Sequence, residues 1–167
     1  MKIYGSLLSP FVARVILACD HKGLNYEIEM PAGGLKTADF LAMNPFGKMP
    51  TIKIGRATLY ESDVIVSYLD EAHPKKKIIP GSAATASKAR LIARISDLYV
   101  QAPTLKLFRQ VIGRSPKNAA EANEAKEELN KGLDVLNGYI KPGPCATGRS
   151  FTIADCYTAP ALLFVSY

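Results

Sequence analysis

The N-terminal part of this chain switches repeatedly between two hydrophobic periods. Residues 2–6 are a short β-type run that stops at Ser9-Pro10. Phe11, Val12, Val15, Ile16, Ala18 and Cys19 then recur at helical spacing up to Gly23, which is placed to end a helix. Tyr26, Ile28 and Met30 alternate with polar neighbours, the period of a second strand. Pro31 to Gly34 breaks that strand, and a short helix or loop follows through Phe40–Met43. Thr51–Ile54 and Ala57–Tyr60 flank Gly55-Arg56 as the arms of a hairpin. Ser62–Glu71 then carries Val64, Ile65, Tyr68 and Leu69 at helical spacing. The order β-α-β-α-β-β-α, a strand–helix–strand unit closed by a hairpin and a helix, is an α/β thioredoxin-like arrangement.

Beyond residue 81 no strand pattern remains. Leu91, Ile95, Leu98, Ala102, Leu105, Phe108 and Ile112 trace one face of a long helix, bent near Pro103. Ala122, Ala125, Leu129, Leu133, Leu136 and Ile140 trace a second helix; both patterns read as core stripes. A third begins at Thr152, where Thr152 and Asp155 have the spacing of a capping box. The predicted organisation is a thioredoxin-like domain at 1–73, a Pro-flanked linker at 74–81, and an all-α helical domain at 82–167.

Composition narrows the class without naming it. The chain has 167 residues, 48% hydrophobic and 22% charged, as an ordinary folded protein does. No apolar run approaches the roughly 18 residues that span a membrane, and the first residues, with one early Lys and no small-residue cleavage site after an apolar core, do not read as a secretory signal. The expected compartment is the cytoplasm. The net charge of +6 is densest at Lys75-Lys76-Lys77, but a solvated linker explains that run better than a nucleic-acid patch does. Cys19, Cys145 and Cys156 are odd in number and not closely paired, which argues against a disulfide framework and against a zinc site.

Three places could carry chemistry. The first is Ser9-Pro10-Phe11-Val12, at the junction of the first strand and first helix. Redox proteins of this fold hold a Cys-x-x-Cys dithiol there; Ser9 and Val12 exclude it. A hydroxyl and helix-terminal amides at that point still suit an anion, and a serine donating to a bound thiolate lowers the thiol's pKa. Ser9 is equally explained as an N-cap before Pro at N1. The second is Lys48-Met49-Pro50-Thr51: if Met49–Pro50 is cis, Met49 offers its main chain to a ligand in place of a sheet partner. The third is Glu61-Ser62, where a hydroxyl and helix-terminal amides suit a carboxylate and Glu61 suits an ammonium group, although Glu is also ordinary first-turn chemistry.

In register, the strings SPFVARVILA, NPFGKMPTI, LYESDVIVSYLDE and FTIADC resemble the soluble glutathione S-transferase superfamily, and the match runs the length of the chain. The serine in SPF and the placement of Lys36 look most like the serine-type tau and phi classes. The resemblance implies that Ser9 activates the glutathione thiol, Met49 before cis-Pro50 pairs with the cysteinyl main chain, and Glu61 and Ser62 hold the γ-glutamyl end. Lys36 and Lys48 would approach the glycyl carboxylate, and Phe11, Tyr99 and Leu105 would border the electrophile pocket. It further implies glutathione as co-substrate, no metal, an apolar electrophile, a detoxifying role and a homodimer, with neither nucleic acid nor membrane as a partner. Tyr4 lies too early to be the tyrosine that some classes use. Family members usually run to about 200 residues, so the chain reads as C-terminally short, its helical domain truncated. The expected activity is glutathione conjugation; the alternative is a non-catalytic glutathione transferase-like binding domain.

Overall fold

The computed structural model describes residues 1–166, which divide into two compact units, the first Met1–Ile79 and the second beginning at Pro80. In the first, β1 (Lys2–Tyr4), α1 (Pro10–Lys22), β2 (Glu27–Glu29), α2 (Ala38–Met43), β3 (Thr51–Ile54), β4 (Ala57–Tyr60) and α3 (Ser62–Ala72) follow in order. The four strands form one sheet in the order β2-β1-β3-β4, parallel between β1 and β2 and antiparallel elsewhere. This is the mixed sheet of a thioredoxin-like domain. Side chains alternate across a strand, so Ile3 and Ile52, paired across β1 and β3, enter the core while Tyr4 points the other way. Val12 and Val15 of α1 and Ile65, Val66 and Leu69 of α3 fill that core, each fully buried. Tyr4 packs edge-on against Phe40 of α2, ring centroids 6.0 Å apart.

Helix α1 starts and stops where its sequence says it should. Ser9 is the N-cap, Pro10 takes the first helical position without needing an amide, and Gly23 closes the helix at φ 69°, left-handed backbone that favours glycine. Its last turn contributes the firmest polar contact in the unit. Lys22 Nζ, its side chain 0% exposed, donates to Asp70 Oδ1 of α3 at 2.8 Å and to the carbonyls of His73 at 2.8 Å and Lys76 at 3.3 Å. Asp70 also accepts from the amides of Ile78 at 2.7 Å and Ile79 at 3.2 Å. Residues 74–79, read from their prolines and lysines as linker, are thereby bound to the first unit, and Ile78 is fully buried.

The second unit is helical: α4 (Ala83–Ile95), a π-helical turn (Ser96–Gln101), α5 (Ala102–Val111), α6 (Ala119–Tyr139) and α7 (Ile153–Val165). The α6 stripe is as expected, with Ala125, Leu129 and Leu136 buried. The first stripe is so only in part, with Ile95 buried and Leu105 and Phe108 half-buried. Leu91, Leu98 and Ile112 are more than two-fifths exposed, and the buried side is Ala86, Ala89, Ile92, Ala93, Ile95, Ser96, Val100 and Thr104. Two physical causes act together. Small residues let α4 approach α7 closely, so bulk is a poor guide to burial; Ser96 Oγ even meets Thr158 Oγ1 of α7 at 2.8 Å. The π turn then inserts an extra residue, with the Ala102 amide reaching back to the Asp97 carbonyl, and shifts the phase of everything after it. Pro103 follows, lacking the amide that would bond the Tyr99 carbonyl. That carbonyl lies against Gly132 of α6, where a Cβ would overlap it. Helix α7 opens with the expected capping box of Thr152 and Asp155, and Asp155 also accepts from the Ala146 amide at 2.7 Å.

Gly132→Ala should therefore destabilise the protein by about 1–3 kcal/mol through overpacking. Gly138→Ala in the same helix, where a Cβ meets nothing within 4 Å, should stabilise it by roughly 0.5–1 kcal/mol; paired denaturant titrations check both signs.

Asp70→Asn leaves a buried Lys22 without its counter-charge and should cost about 3–5 kcal/mol. Burial alone would push the Asp70 carboxyl up, but the Ile78 and Ile79 amides and the Lys22 ammonium outweigh it and hold the pKa below its ordinary value. A depressed folded pKa stabilises the protein above the unfolded value of about 3.9 and ceases to do so as pH falls through the folded one. Wild-type stability should thus decline below about pH 4 with a steepness that Asp70→Asn lessens, as acid titration of the melting temperature will reveal.

Candidate functional site

One end of the first unit gathers the N-termini of α1 and α3 and the loop before β3. Gly5 makes the approach possible: a Cβ there would lie 2.5 Å from Val12 Cγ2 and 3.5 Å from Met49 Cβ. The Ser6 amide donates to Met49 Sδ at 3.4 Å, and the Ser9 amide donates to the Ser6 carbonyl at 3.0 Å. Ser9 and Met49 are in this way brought to the same turn.

Ser9 is the N-cap of α1, as one of its two sequence readings has it. Its Oγ accepts from the Val12 amide at 3.4 Å as an N-cap. A hydroxyl accepts through lone pairs and keeps one O–H to donate, so capping does not consume the donor. Pro10 has no amide, Val12 is bonded to Ser9 Oγ and Ala13 to the Ser9 carbonyl. The Ser9 hydroxyl proton and the Phe11 amide remain for a bound anion.

The peptide Met49–Pro50 is cis. The ladder between β1 and β3 begins at the Tyr4–Thr51 pair, which leaves the main chain of Met49 outside the sheet. Lys36 reaches the same loop from the other side, its Nζ donating to the Phe46 carbonyl at 3.1 Å. Gly47, at φ 57°, leaves room for it, since a Cβ there would meet the Leu35 carbonyl at 2.7 Å and Lys36 Nζ at 2.9 Å. Lys48 is exposed on that loop.

Glu61 departs furthest from local rules. It sits at φ 69°, ψ 115° as the N-cap of α3 and makes no side-chain capping bond. A non-glycine residue at positive φ costs about 1–3 kcal/mol and tends to mark a ligand-binding turn. With no cap, the amides of Ser62 and Val64 stay unspent at the positive end of the helix. Ser62 is buried and its Oγ accepts from Arg14 Nη1 at 3.4 Å.

Arg14 is the residue that sequence reasoning missed. It is 2% exposed on the inner face of α1, with its guanidinium carbon 4.7 Å from the Phe11 ring centroid. A signal existed: an arginine within the run Val12, Val15, Ala18 and Cys19 must find a partner in the interior. The other two nominated residues lie in the second unit, Tyr99 exposed on the π turn and Leu105 half-buried on α5. Cys19 has no part in such a site, since it is fully buried and burial pushes its thiol up to about 12. Among the described residues no cluster of three His, Cys, Asp or Glu side chains could hold a metal ion, and no helix is long and apolar enough to cross a membrane.

Arg14, Lys36, Lys48 and the positive starts of α1 and α3 are the cationic groups of these elements, and Glu61 and Asp63 are carboxylates at the start of α3. That set suits an anionic ligand that also carries an ammonium group. The chain matches the models for the N-terminal domain of glutathione S-transferases over residues 3–77 and for their C-terminal domain over residues 97–166. A glutathione S-transferase of Hyoscyamus muticus is 31% identical, aligned over 99% of this chain and 82% of its own length. Glutathione S-transferase 3 of Zea mays is 34% identical over 97% of this chain and 78% of its own. A glutathione S-transferase III solved in its apo form is 32% identical and superposes with a TM-score of 0.79, covering 99% of this chain and 80% of that one. With both domain models matched and such relatives aligned along nearly its whole length, the chain belongs to the glutathione S-transferase family.

Proposed function

We propose that this protein is a glutathione transferase that binds glutathione at the converging ends of α1 and α3 and adds its thiolate to an apolar electrophile. The observation that carries the reading is the pair of donors left unspent at the start of α1, the Ser9 hydroxyl and the Phe11 amide. In this reading the γ-glutamyl carboxylate meets Ser62 and the uncapped start of α3, backed by Arg14, and the ammonium meets Glu61. The main chain of Met49, before Pro50, pairs with the cysteinyl unit, while Lys36 and Lys48 attract the glycyl carboxylate. Anchoring both charged ends leaves the sulfur beside Ser9. Hydrogen bonding to the thiolate form favours ionisation. Lowering a thiol pKa from about 9 to 6–7 requires roughly 3–4 kcal/mol, at 1.36 kcal/mol per unit. A charge-assisted hydroxyl bond together with a helix end is of that order. The thiolate then attacks the electrophile, which Phe11 borders in this reading. The reading extends to a cytoplasmic homodimer with a detoxifying role, as the family resemblance implies.

Ser9→Ala should lower kcat/KM for an aryl halide at least tenfold near pH 6.5 and move the thiol limb of the pH profile upward, while Ser9→Thr restores most of the rate. Full activity in Ser9→Ala would refute the assigned role. Strong retention of the wild type on immobilised glutathione without turnover would instead identify a binding domain.

Glu61→Gly should act in opposite directions on stability and binding. Relief of the positive φ raises stability by up to about 1 kcal/mol, whereas loss of the ammonium's partner weakens glutathione binding by about 1.5–3 kcal/mol. Thermal melts and calorimetric titration with glutathione read the two separately.

A further inference from the structure

The loop between α2 and β3 is organised from inside by one side chain. Asn44 is 2% exposed. Its Nδ2 donates to the Lys48 carbonyl at 2.9 Å and to Thr51 Oγ1 at 2.9 Å. Its Oδ1 accepts from the Phe46 amide at 3.1 Å, and its own carbonyl accepts from the Gly47 amide at 2.9 Å. Both side-chain donors and the acceptor of this amide are therefore spent on the loop between Phe46 and Thr51. Thr51 Oγ1 adds a second, longer bond to the Lys48 carbonyl at 3.3 Å. Lys36 meets the Phe46 carbonyl from the outer side, so the Phe46 residue is held at its amide by Asn44 and at its carbonyl by Lys36.

The consequence lies one peptide further on. The Lys48 carbonyl belongs to the peptide unit that carries the Met49 amide, and planarity of that unit makes carbonyl and amide turn together. Holding the Lys48 oxygen against Asn44 and Thr51 thus fixes the direction of the Met49 N–H, which has no partner in the sheet. We propose that Asn44 is a positioning residue for substrate binding: through the Lys48 carbonyl it aims the Met49 main chain, and through Phe46 it sets the perch of Lys36. Both act on the cysteinyl and glycyl parts of glutathione, and this inference rests on the reading of the site given above. Asn44 bonds to the loop from Phe46 to Thr51 and not to Ser9, so its effect falls on glutathione affinity and spares thiol activation.

Asn44→Asp separates this role from simple packing, because it keeps the shape and the acceptor for Phe46 but removes both donors. Thr51→Val removes one donor to the Lys48 carbonyl and the acceptor of one Asn44 bond, and it leaves the direct Asn44 bond to that carbonyl in place. The expected result for Asn44→Asp is a KM for glutathione raised at least tenfold, kcat within about threefold of wild type, and an unchanged KM for the electrophile; Thr51→Val should show the same pattern more weakly. In Asn44→Ala, amide hydrogen exchange of Phe46 should quicken, while Asn44→Asp protects it. A glutathione KM unmoved in both Asn44→Asp and Thr51→Val overturns the proposal, as does a parallel loss of kcat and both KM values with a lowered melting temperature, the mark of general loosening. If Asn44→Asp does not fold, Thr51→Val decides alone. A wild-type protein that fails to bind glutathione removes the functional reading itself, an outcome distinct from wild-type binding with variants that behave alike.

Discussion

Helices α1 and α3 are tied together by buried cations, and the site exists because those ties set how the two helices lie against each other. Lys22 clasps Asp70 near the C-terminal ends, and Arg14 reaches Ser62 near the N-terminal ends. The apolar contact between them, from Val12 and Val15 to Ile65 and Leu69, is strong but non-directional. A buried charge is different, because it is tolerable only where a partner meets it in good geometry. Sliding one helix past the other would part Lys22 from Asp70 and Arg14 from Ser62, so the polar ties favour the register that the apolar core would tolerate loosely. The uncapped start of α3 is delivered to the same end as Ser9 by that choice.

The treatment of helix starts separates support from chemistry. Ser82, Asn118 and Thr152 each accept from first-turn amides of α4, α6 and α7. Helix α1 is capped, yet with a hydroxyl whose proton stays available. Helix α3 is not capped at all and begins at a residue held at positive φ. Local rules are commonly broken where function demands it. The loop from Asn44 to Thr51 follows the same logic, since an amide side chain is fully spent there on holding main chain that is outside the sheet.

In the second unit close packing plays the part that buried polar ties play in the first. Pro103 leaves the Tyr99 carbonyl without its helical donor, and Gly132 lets α6 come up against it. A run of alanines on α4, with Ser96 opening the π turn, permits a comparably near approach of α7. These contacts depend on the absence of side-chain bulk, so a search for large apolar residues at helical spacing selects the wrong face, as it did with Leu91, Leu98 and Ile112.

Much of this protein was determined by sequence alone, wherever the cause is local. Strand alternation, the Ser9-Pro10 start and Gly23 stop of α1, the hairpin around Gly55 and the capping box at Thr152 each depend on residues within a few positions of one another. The candidate residues Ser9, Met49, Pro50, Glu61 and Ser62 were legible for the same reason, since each stands at an element boundary with its own backbone demand. What only the tertiary structure decided is what distant residues must satisfy together. Arg14 under Ser62, Lys22 binding residues 73–79, the strained backbone of Glu61, the inward amide of Asn44 and the π turn against Gly132 carry no local signature. Each is an answer to a buried charge, an unspent donor or a steric gap supplied by another part of the chain, and those constraints arise only once the elements are packed.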